Sequence, residues 1–423
     1  MIFQILKNQF GFEDFRIGQQ EVIESIIAGR DTLAIMPTGS GKSICYQIPA
    51  IYFGGVCLVV SPLIALMQDQ VRGLESKGVG AGCLHSGLTA LEKSEIMGAA
   101  KSRESYILFV SPERLMQEAF VEYLRELKIC FVVIDEAHCV VEWGFDFRPD
   151  YQRLQFFKEQ WRCPVLALTA SATPLMRKEI ARHLRLENPK IICSGFFRDN
   201  LFCFVHLCPD FETKFAITMR AIDETGHGRI LVYCATRLQC ESLAKRLSEN
   251  IQSAAFYHAG LTPARRSQIQ SAMNQHQIKV LCCTCAFGMG IDYPDVRLVV
   301  HFEIPTSLEE LYQEMGRAGR DQQPARVLTL YSERDLQTKY LQLKSHSSKV
   351  RETKRRMNAL EKLENYLRSY ACRHRMISEY FGDTISFRKL KSCGVCDFCC
   401  GLDEGQEVPK IFDLRLRNRL RRL

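Results

Sequence analysis

Short apolar runs alternate with helix-length stretches along the chain, and this pattern occurs twice. The runs are rich in β-branched and aromatic residues and show little polar alternation, as expected for parallel strands buried on both faces. The first set comprises TLAIM (32–36), VCLVVS (56–61), YILFVS (106–111), CFVVID (130–135) and VLALTA (165–170). The second set comprises RILVYC (229–234), SAAFYHA (253–259), KVLCCT (279–284), LVVHFE (298–303) and RVLTLY (326–331). We therefore predict two α/β domains, each with a doubly wound parallel sheet.

The strand pattern stops after Tyr331, and residues 333–382 show helical periodicity instead. We place the boundary between the two α/β domains near residues 195–202. In the helical part, one stripe of apolar residues shares a single face and is interpreted as core. It consists of Met357, Leu360, Leu363, Leu367 and Tyr370.

The segment MPTGSGKS (36–43) follows the first apolar run and has the composition of a phosphate-binding loop. Glycines at 39 and 41 let backbone N–H groups surround a triphosphate, Lys42 reaches the outer phosphates, and the Ser43 hydroxyl binds Mg²⁺. Met36 stands where the general pattern has its first glycine. The residues of this loop that we predict to bind ATP are Met36, Thr38, Gly39, Ser40, Gly41, Lys42 and Ser43.

A second motif, DEAH (135–138), follows the apolar run CFVVI (130–134). We predict that Asp135 joins Ser43 in holding Mg²⁺. Glu136 is predicted to orient or deprotonate the water that attacks the terminal phosphate. The two motifs together indicate an enzyme that hydrolyses ATP.

The second α/β domain contains YQEMGRAGRD (312–321). Arg317 and Arg320 are three residues apart, and on a helix this spacing would place both on one face. Because this domain has no phosphate-binding loop of its own, we predict that these arginines act on ATP bound by the first domain, as arginine fingers. Gln313 of the same segment is included among the candidate catalytic residues. The alternative is a surface helix with ordinary arginines.

Upstream of the phosphate-binding loop lies GFEDFRIGQQEVI (11–23). Gln19 can form hydrogen bonds with the edge of adenine, Phe12 can stack on the base, and Arg16 can contact a phosphate or position Gln19. An amphipathic helix preceded by a capping segment explains the same residues, and the two interpretations have similar weight.

The residues CVVEWGFDFRPDY (139–151) follow DEAH directly and contain Trp143, one of two tryptophans. Aromatic residues next to an arginine beside a nucleotide site can stack on bases and report their presence to the catalytic glutamate. We predict this role for Trp143, Phe145, Phe147 and Arg148. Packing within a buried loop is the alternative.

Four cysteines have the spacing of a metal site, C-x20-C-x2-C-x2-C: Cys372, Cys393, Cys396 and Cys399. Four thiolates suit a closed tetrahedral zinc site. An iron–sulfur cluster is the alternative, but the x3-C-P completion of that motif is missing. Cys400 is a further thiol and a potential substitute ligand.

The charge and cysteine content limit the partners and the compartment. Residues 336–423 contain 20 Lys and Arg against 10 Asp and Glu, whereas the preceding residues contain 36 against 38. A basic segment of this kind favours a nucleic acid partner over a solvated helical surface with a tail. There is no secretory signal pattern, and no apolar run is long enough to span a membrane. The 19 cysteines lie largely within apolar strands, which indicates an intracellular, reducing compartment.

The order of these motifs resembles that of the RecQ family of superfamily-2 DNA helicases. The resemblance covers roughly residues 10–400, and DEAHC followed by WGxDFRPxY is its most specific part. It implies ATP- and Mg²⁺-dependent 3′→5′ unwinding of DNA in recombination and repair. We expect the protein to be a monomer. It also implies two RecA-like domains over 1–200 and 201–335, a helical hairpin with a zinc-binding subdomain over 336–405, and a basic tail over 406–423.

The sequence departs from the usual family pattern at several positions. Glu142 replaces a common Gln, Phe145 a common His, Tyr293 a common Lys and Gln322 a common Gly. The winged-helix and HRDC domains of many relatives are expected to be absent. Two alternatives to a DNA helicase stay open: a related RNA helicase, and an ATP-gated protein that clamps DNA without unwinding it.

Overall fold

The computed structural model divides the chain, by its contacts, into two compact units, Met1–Gly195 and Phe196–Leu423. Each unit contains its own parallel sheet. The structure describes residues 1–85, 87–142, 154, 160–251, 253–285, 287, 293–345, 350–388, 390 and 392–401.

The first unit has a seven-stranded sheet in which all paired strands are parallel. Its strands are β1 (Thr32–Ile35), β2 (Gly55–Val60), β3 (Ala81–Leu84), β4 (Ser105–Val110), β5 (Ile129–Ile134), β6 (Val165–Thr169) and β7 (Lys190–Cys193). The order across the sheet is β3-β4-β2-β5-β6-β1-β7. The phosphate-binding loop therefore leaves β1, which lies next to the edge strand β7, and DEAH leaves the central strand β5, two positions away.

Two helices of the first unit precede β1, and the others lie after successive strands along the chain. They are α1 (Ile2–Phe10), α2 (Gln19–Ile27), α3 (Ile44–Phe53), α4 (Ile64–Glu75), α5 (Ala90–Ser102), α6 (Glu118–Arg125), α7 (Cys139–Glu142) and α8 (Pro174–His183), with a 3₁₀ helix at Pro112–Met116. The core of this unit combines residues from all seven strands with residues of α2, α3 and α4.

The second unit has a six-stranded parallel sheet. Its strands are β8 (Leu201–Leu207), β9 (Arg229–Tyr233), β10 (Ala254–Tyr257), β11 (Val280–Cys283), β12 (Val296–His301) and β13 (Ala325–Tyr331), in the order β10-β11-β9-β12-β13-β8. Its helices are α9 (Phe211–Glu224), α10 (Arg237–Ser248), α11 (Pro263–Asn274), α12 (Leu308–Met315), α13 (Glu333–Ser345), α14 (Val350–Arg368), α15 (Arg373–Tyr380) and α16 (Asp397–Cys400).

The predicted fold class is confirmed, and each of the ten apolar runs contains a strand. Three strands were missed: β3, β7 and β8, all of which lie at a sheet edge. An edge strand has a neighbour on one side only, so its sequence need not be uniformly apolar. In β3, Gly82 interrupts the pattern because a Cβ there would lie 2.4 Å from the Tyr106 hydroxyl.

The predicted apolar stripe of the C-terminal helices is only partly buried. Leu360, Leu363 and Leu367 lie in the core, with Tyr366 beside them. Tyr370 was wrongly included, because α14 ends at Arg368 and the Tyr370 side chain is 77% exposed. Among the described helices, none combines the length and the apolar character that crossing a membrane requires.

Candidate functional site

The phosphate-binding loop connects β1 to α3 and contains two residues that need glycine. Gly39 and Gly41 have φ angles of +80° and +77°, which side chains other than glycine rarely adopt. Met36 is fully buried, and its N–H donates to the Thr169 carbonyl oxygen over 3.0 Å. This position therefore tolerates methionine because its side chain packs in the core, where the Cys45 thiol lies 3.6 Å from the Met36 sulfur.

Three polar side-chain atoms of this loop are buried without being satisfied. Thr38 Oγ1, Ser40 Oγ and Lys42 Nζ have no hydrogen-bond partner within the described part of the chain. Leaving buried polar atoms unpaired costs free energy, and such groups in native proteins usually serve a ligand. An ammonium and two hydroxyls in a glycine-containing loop suit the phosphates of a nucleotide.

Gln19 and Arg16 lie against the same loop. The Gln19 amide nitrogen donates to the carbonyl oxygens of Ser40 and Gly41, each over 3.0 Å, and its amide oxygen accepts from the Arg16 N–H over 2.8 Å. The Arg16 guanidinium donates to the Gly39 carbonyl oxygen. Phe12 is about half exposed. Both the oxygen and the nitrogen of the Gln19 amide are thus hydrogen-bonded within the protein. Gln19 would have to break these hydrogen bonds to bind adenine.

The DEAH segment begins where β5 ends. The Asp135 N–H donates to the Val60 carbonyl oxygen, and one Asp135 carboxylate oxygen accepts from the Glu136 N–H over 3.0 Å. Burial raises the pKa of Asp135 to about 6, with a further increase from Glu136, and the Lys42 ammonium opposes both. A cation bound here would favour the ionised carboxylate. Asp135 and the Ser43 hydroxyl are the residues that would hold Mg²⁺.

Glu136 has the left-handed backbone conformation, with φ of +47°, and its side chain reaches His138. Glu136 Oε2 lies 3.3 Å from His138 Nδ1, which is itself 3.0 Å from Thr169 Oγ1. The Thr169 hydroxyl donates to the Ser171 carbonyl oxygen over 3.1 Å. The buried His138 therefore connects the candidate catalytic glutamate to the LTASAT segment (168–173), a connection that the sequence did not reveal.

Arg317 and Arg320 do not lie on a helix, so their predicted helical arrangement is wrong. α12 ends at Met315, and residues 316–320 form turns in which Gly319 has a φ angle of +55°. Side chains from a distant part of the second unit hold these turns. Arg198 donates to the carbonyl oxygens of Gly316 and Gly319, and the Asn200 amide donates to that of Gly319 over 2.8 Å.

The structure describes some of the remaining predicted residues and not others. Gln313 lies on α12, partly buried. Trp143, Phe145, Phe147 and Arg148 lie outside the described residues. Of the departures from the family pattern, Tyr293 is buried and the Arg229 guanidinium lies 4.5 Å from the centre of its ring. Gln322 has a φ angle of +67°, a conformation that a glycine would adopt more readily.

The four cysteines predicted to bind zinc come together. The sulfur atoms of Cys372, Cys393, Cys396 and Cys399 all lie within 4.8 Å of one another. Tetrahedral zinc with Zn–S bonds of ~2.3 Å needs sulfurs about 3.8 Å apart, so the group fits zinc. Hydrogen bonds among the four thiols lower the pKa of Cys372 and Cys399 and raise the pKa of Cys393 and Cys396. The Cys400 thiol lies apart from this group, 3.7 Å from the Gly394 carbonyl oxygen.

The segment that carries these cysteines covers the open edge of the second sheet. Along β8, the Leu201 carbonyl oxygen accepts from His374 Nε2 over 3.0 Å, and the Cys203 N–H donates to the Val395 carbonyl oxygen over 3.1 Å. The Val205 N–H donates to an Asp397 carboxylate oxygen over 3.0 Å. Arg373 fixes that carboxylate with its own hydrogen bonds of 2.9 and 3.0 Å. The metal segment thus satisfies backbone groups that an edge strand would otherwise expose.

Cys396→Ser is expected to remove zinc and to destabilise this edge. Cys396 is fully buried, and its backbone pairs with that of Cys203 in an isolated parallel β-bridge. Because metal binding at a closed thiolate site is also folding free energy, about 10–16 kcal/mol in zinc-finger peptides, the segment should unfold locally. Metal analysis should fall from one zinc per chain to none, and the thermal midpoint should decrease.

Cys400→Ser is the matched control, since it changes the adjacent thiol outside the four-sulfur group. This variant should keep its zinc. Iron with visible absorbance in the wild type, or a metal-free Cys396→Ser variant with wild-type stability, would contradict a structural zinc site.

Comparison with known proteins defines the class to which this arrangement belongs. Residues 16–179 match the DEAD/DEAH box helicase family, residues 213–322 match the helicase conserved C-terminal domain, and residues 332–400 match the RecQ zinc-binding domain. The fold resembles that of the Mycobacterium smegmatis helicase Lhr, with a TM-score of 0.60 and 23% identity over 79% of this chain and 48% of the other. A second fold match is the DUF1998 helicase MrfA, with a TM-score of 0.64 and 15% identity over 78% of this chain and 51% of the other.

Curated relatives narrow the class further. The ATP-dependent DNA helicase RecQ of Bacillus subtilis is 36% identical over 96% of this chain and 68% of its own length. The Pasteurella multocida protein of the same name is 38% identical over 97% of this chain and 63% of its own length. The chain belongs to the RecQ family. It spans somewhat less than two thirds of the length of the Pasteurella multocida and Haemophilus influenzae relatives, 63% and 64%.

Proposed function

We propose that this protein is an ATP- and Mg²⁺-dependent DNA helicase that moves 3′→5′ on single-stranded DNA and unwinds duplexes. The observation that carries the ATPase part is the buried Lys42 ammonium, which, like the Thr38 and Ser40 hydroxyls of the same loop, has no hydrogen-bond partner among the described residues. Family membership supports DNA as the partner, with a role in recombination and repair. We further propose that it acts as a monomer in a reducing intracellular compartment, which agrees with 19 free cysteines.

The residues of the first unit would divide the chemistry of hydrolysis among them. Lys42 and the loop N–H groups would hold the outer phosphates, and Ser43 with Asp135 would hold Mg²⁺, which neutralises charge on those phosphates. Glu136 would accept a proton from the attacking water or orient it. His138 would fix the Glu136 carboxylate through the contact of 3.3 Å. Gln19 would bind the edge of adenine, Phe12 would stack on the base, and Arg16 would contact a phosphate or position Gln19.

In the second unit, we propose that Arg317 and Arg320 supply positive charge to the phosphate that is transferred. An arginine is suited to this because its planar fork matches phosphate oxygens and keeps its charge. We also assign Gln313 to these candidate catalytic residues. The hydrogen bonds of Arg198 and Asn200 support the role proposed for Arg317 and Arg320 indirectly, since they fix the turns that carry both arginines.

We propose that two sets of residues bind DNA, each by a different kind of contact. The basic residues after position 335 would supply phosphate contacts, which dominate affinity and depend on salt. Trp143, Phe145, Phe147 and Arg148 would stack on bases and couple DNA binding to Glu136, since stacking tolerates any sequence. This loop would therefore decide whether ATP hydrolysis is coupled to DNA unwinding.

The proposal is tested by measuring ATPase rates with single-stranded DNA and with single-stranded RNA, followed by strand separation on duplexes with a 3′ or a 5′ tail. We expect DNA to stimulate hydrolysis more than RNA does, and only the 3′-tailed duplex to be unwound. Stronger stimulation by RNA would indicate an RNA helicase. DNA-stimulated hydrolysis without strand separation would indicate an ATP-gated clamp.

Trp143→Ala separates coupling from binding in the same assay. The DNA-free ATPase rate should stay near that of the wild type, while stimulation by DNA decreases strongly and unwinding is lost. DNA affinity should fall only modestly, because the phosphate contacts remain. Unchanged maximal stimulation in the variant would reduce this loop to a packing role.

A further inference from the structure

The second unit contains a buried polar cluster that neither the zinc site nor the proposed phosphate contacts require. Tyr233, His301 and Thr329 lie in register across the neighbouring strands β9, β12 and β13. The ring of Tyr233 stacks on that of His301 with centroids 5.8 Å apart, and His301 Nδ1 lies 3.1 Å from Thr329 Oγ1. All three side chains are buried, and His301 is completely so.

Glu314 approaches this row from α12. Its Oε2 lies 3.4 Å from His301 Nε2, a nitrogen that has no hydrogen-bond partner in the described part of the protein. Glu314 itself is only 7% exposed. Burying a carboxyl group and an imidazole costs more than burying apolar residues of the same size, so packing alone does not account for this pair.

The protonation of the pair follows from burial. Burial raises the pKa of Glu314 well above its ordinary value, with a further increase from Glu310, while Arg317 and Lys339 oppose the shift. Burial also lowers the pKa of His301 to about 3. A protonated Glu314 can therefore donate toward a neutral imidazole, and neither group needs to carry a charge in the core.

Arg317 is connected to this cluster in two ways. Burial raises the pKa of the Tyr233 hydroxyl, and the Arg317 guanidinium lowers it again through its charge and a hydrogen bond, so the two groups are adjacent. In the main chain, the Arg317 N–H donates to the Glu314 carbonyl oxygen over 3.2 Å. The guanidinium thus lies beside the hydroxyl of the Tyr233 ring, which stacks on His301, and the Arg317 N–H is bonded to the residue that faces His301.

We propose that His301 and Glu314 form a buried pair that positions Arg317, through the Tyr233 ring and through the start of the turns at 316–320. Both are positioning residues, since neither would touch ATP. The inference rests on the proposed function in one respect, namely that Arg317 contacts the phosphates. Without the pair, the Tyr233 ring and the end of α12 would lose their common support, and the guanidinium would sample other orientations.

The kinetic test compares Glu314→Ala and Glu314→Gln with the wild type at saturating single-stranded DNA. Glu314→Ala should lower kcat on the order of tenfold, the effect expected of a directly coupled residue, while KM for ATP changes far less. Glu314→Gln should restore most of the rate, because the amide can still donate to His301. In the Arg317→Ala background, Glu314→Ala should cause little further loss.

Glu224→Gln is the matched control, since Glu224 is a similarly buried carboxylate that pairs with Arg326 elsewhere in the same unit. It should lower the thermal midpoint without changing kcat. If Glu314→Ala does not fold, Thr329→Val removes the hydrogen bond at His301 Nδ1 and should also lower kcat. Wild-type kcat in a folded Glu314→Ala variant, or equal loss in Glu314→Gln, would overturn the inference.

A measurement without ATP distinguishes failure of this inference from failure of the proposed function. Phenylglyoxal modifies exposed guanidinium groups, and mass spectrometry reports the rate at Arg317. We expect faster modification of Arg317 in Glu314→Ala than in the wild type or in Glu224→Gln. An inactive wild type would reject the proposed ATPase, whereas an unchanged rate of modification would reject the positioning pair.

Discussion

Glu136→Gln is expected to keep ATP bound while lowering the rate of hydrolysis by on the order of 10²–10⁴-fold, the usual contribution of a positioned general base. The amide preserves the shape of the side chain and can still contact His138 over the 3.3 Å that separates the two groups. It cannot accept a proton from water. The measurement is kcat for ATP hydrolysis, together with the dissociation constant of ATP from equilibrium binding.

Glu95→Gln provides the control, because it removes the same charge from the exposed surface of α5. It should leave both quantities unchanged. A wild-type rate in Glu136→Gln would mean that another group activates the water. Lys42→Ala should differ from both, since losing the buried ammonium weakens phosphate binding as well as turnover.

Arg320→Ala is expected to lower kcat on the order of 10³-fold, the size of effect seen when an arginine finger is removed. Nucleotide affinity should change much less, because the charge it supplies matters most when the phosphate leaves. Arg320→Lys should recover only part of the rate, since an ammonium lacks the planar fork. ATP binding and single-turnover hydrolysis measure the two quantities separately.

Arg334→Ala is a suitable control on an exposed position of α13 and should behave like the wild type. Equal losses of affinity and rate in Arg320→Ala would instead indicate a binding or folding role for Arg320. The same comparison for Arg317→Ala would show whether the two arginines share the task.

Much of the nucleotide site could be predicted because its residues are close together in sequence. The loop at 36–43 and DEAH at 135–138 each follow a buried strand, and parallel strands place their carboxyl ends along one edge of a sheet. The positive φ angles of Gly39 and Gly41 agree with the prediction of a loop that curves around phosphates. The side-chain roles assigned to Gln19, Arg317 and Arg320 stay predictions.

Other features depended on residues that meet only in the folded chain. His138 contacts Thr169, which is 31 residues away, and His374 reaches the Leu201 carbonyl oxygen across 173 residues. α12 was expected to continue through Arg320, but it ends at Met315, and Arg198 with Asn200 holds the turns that follow. Helical spacing cannot reveal such long-range hydrogen bonds.

The sequence by itself determined the two parallel sheets, the phosphate-binding loop, the acidic motif and the zinc cysteines, because each depends on local periodicity or on the spacing of a motif along the chain. Only the tertiary structure decided the edge strands β3, β7 and β8, the cover that the zinc segment forms over β8, and the pairing of His301 with Glu314. These features come from backbone and side-chain groups that satisfy one another across large sequence separations. Each buried polar group needs a hydrogen-bond partner. The fold decides which residue lies close enough to be that partner, and this cannot be inferred from positions along the chain.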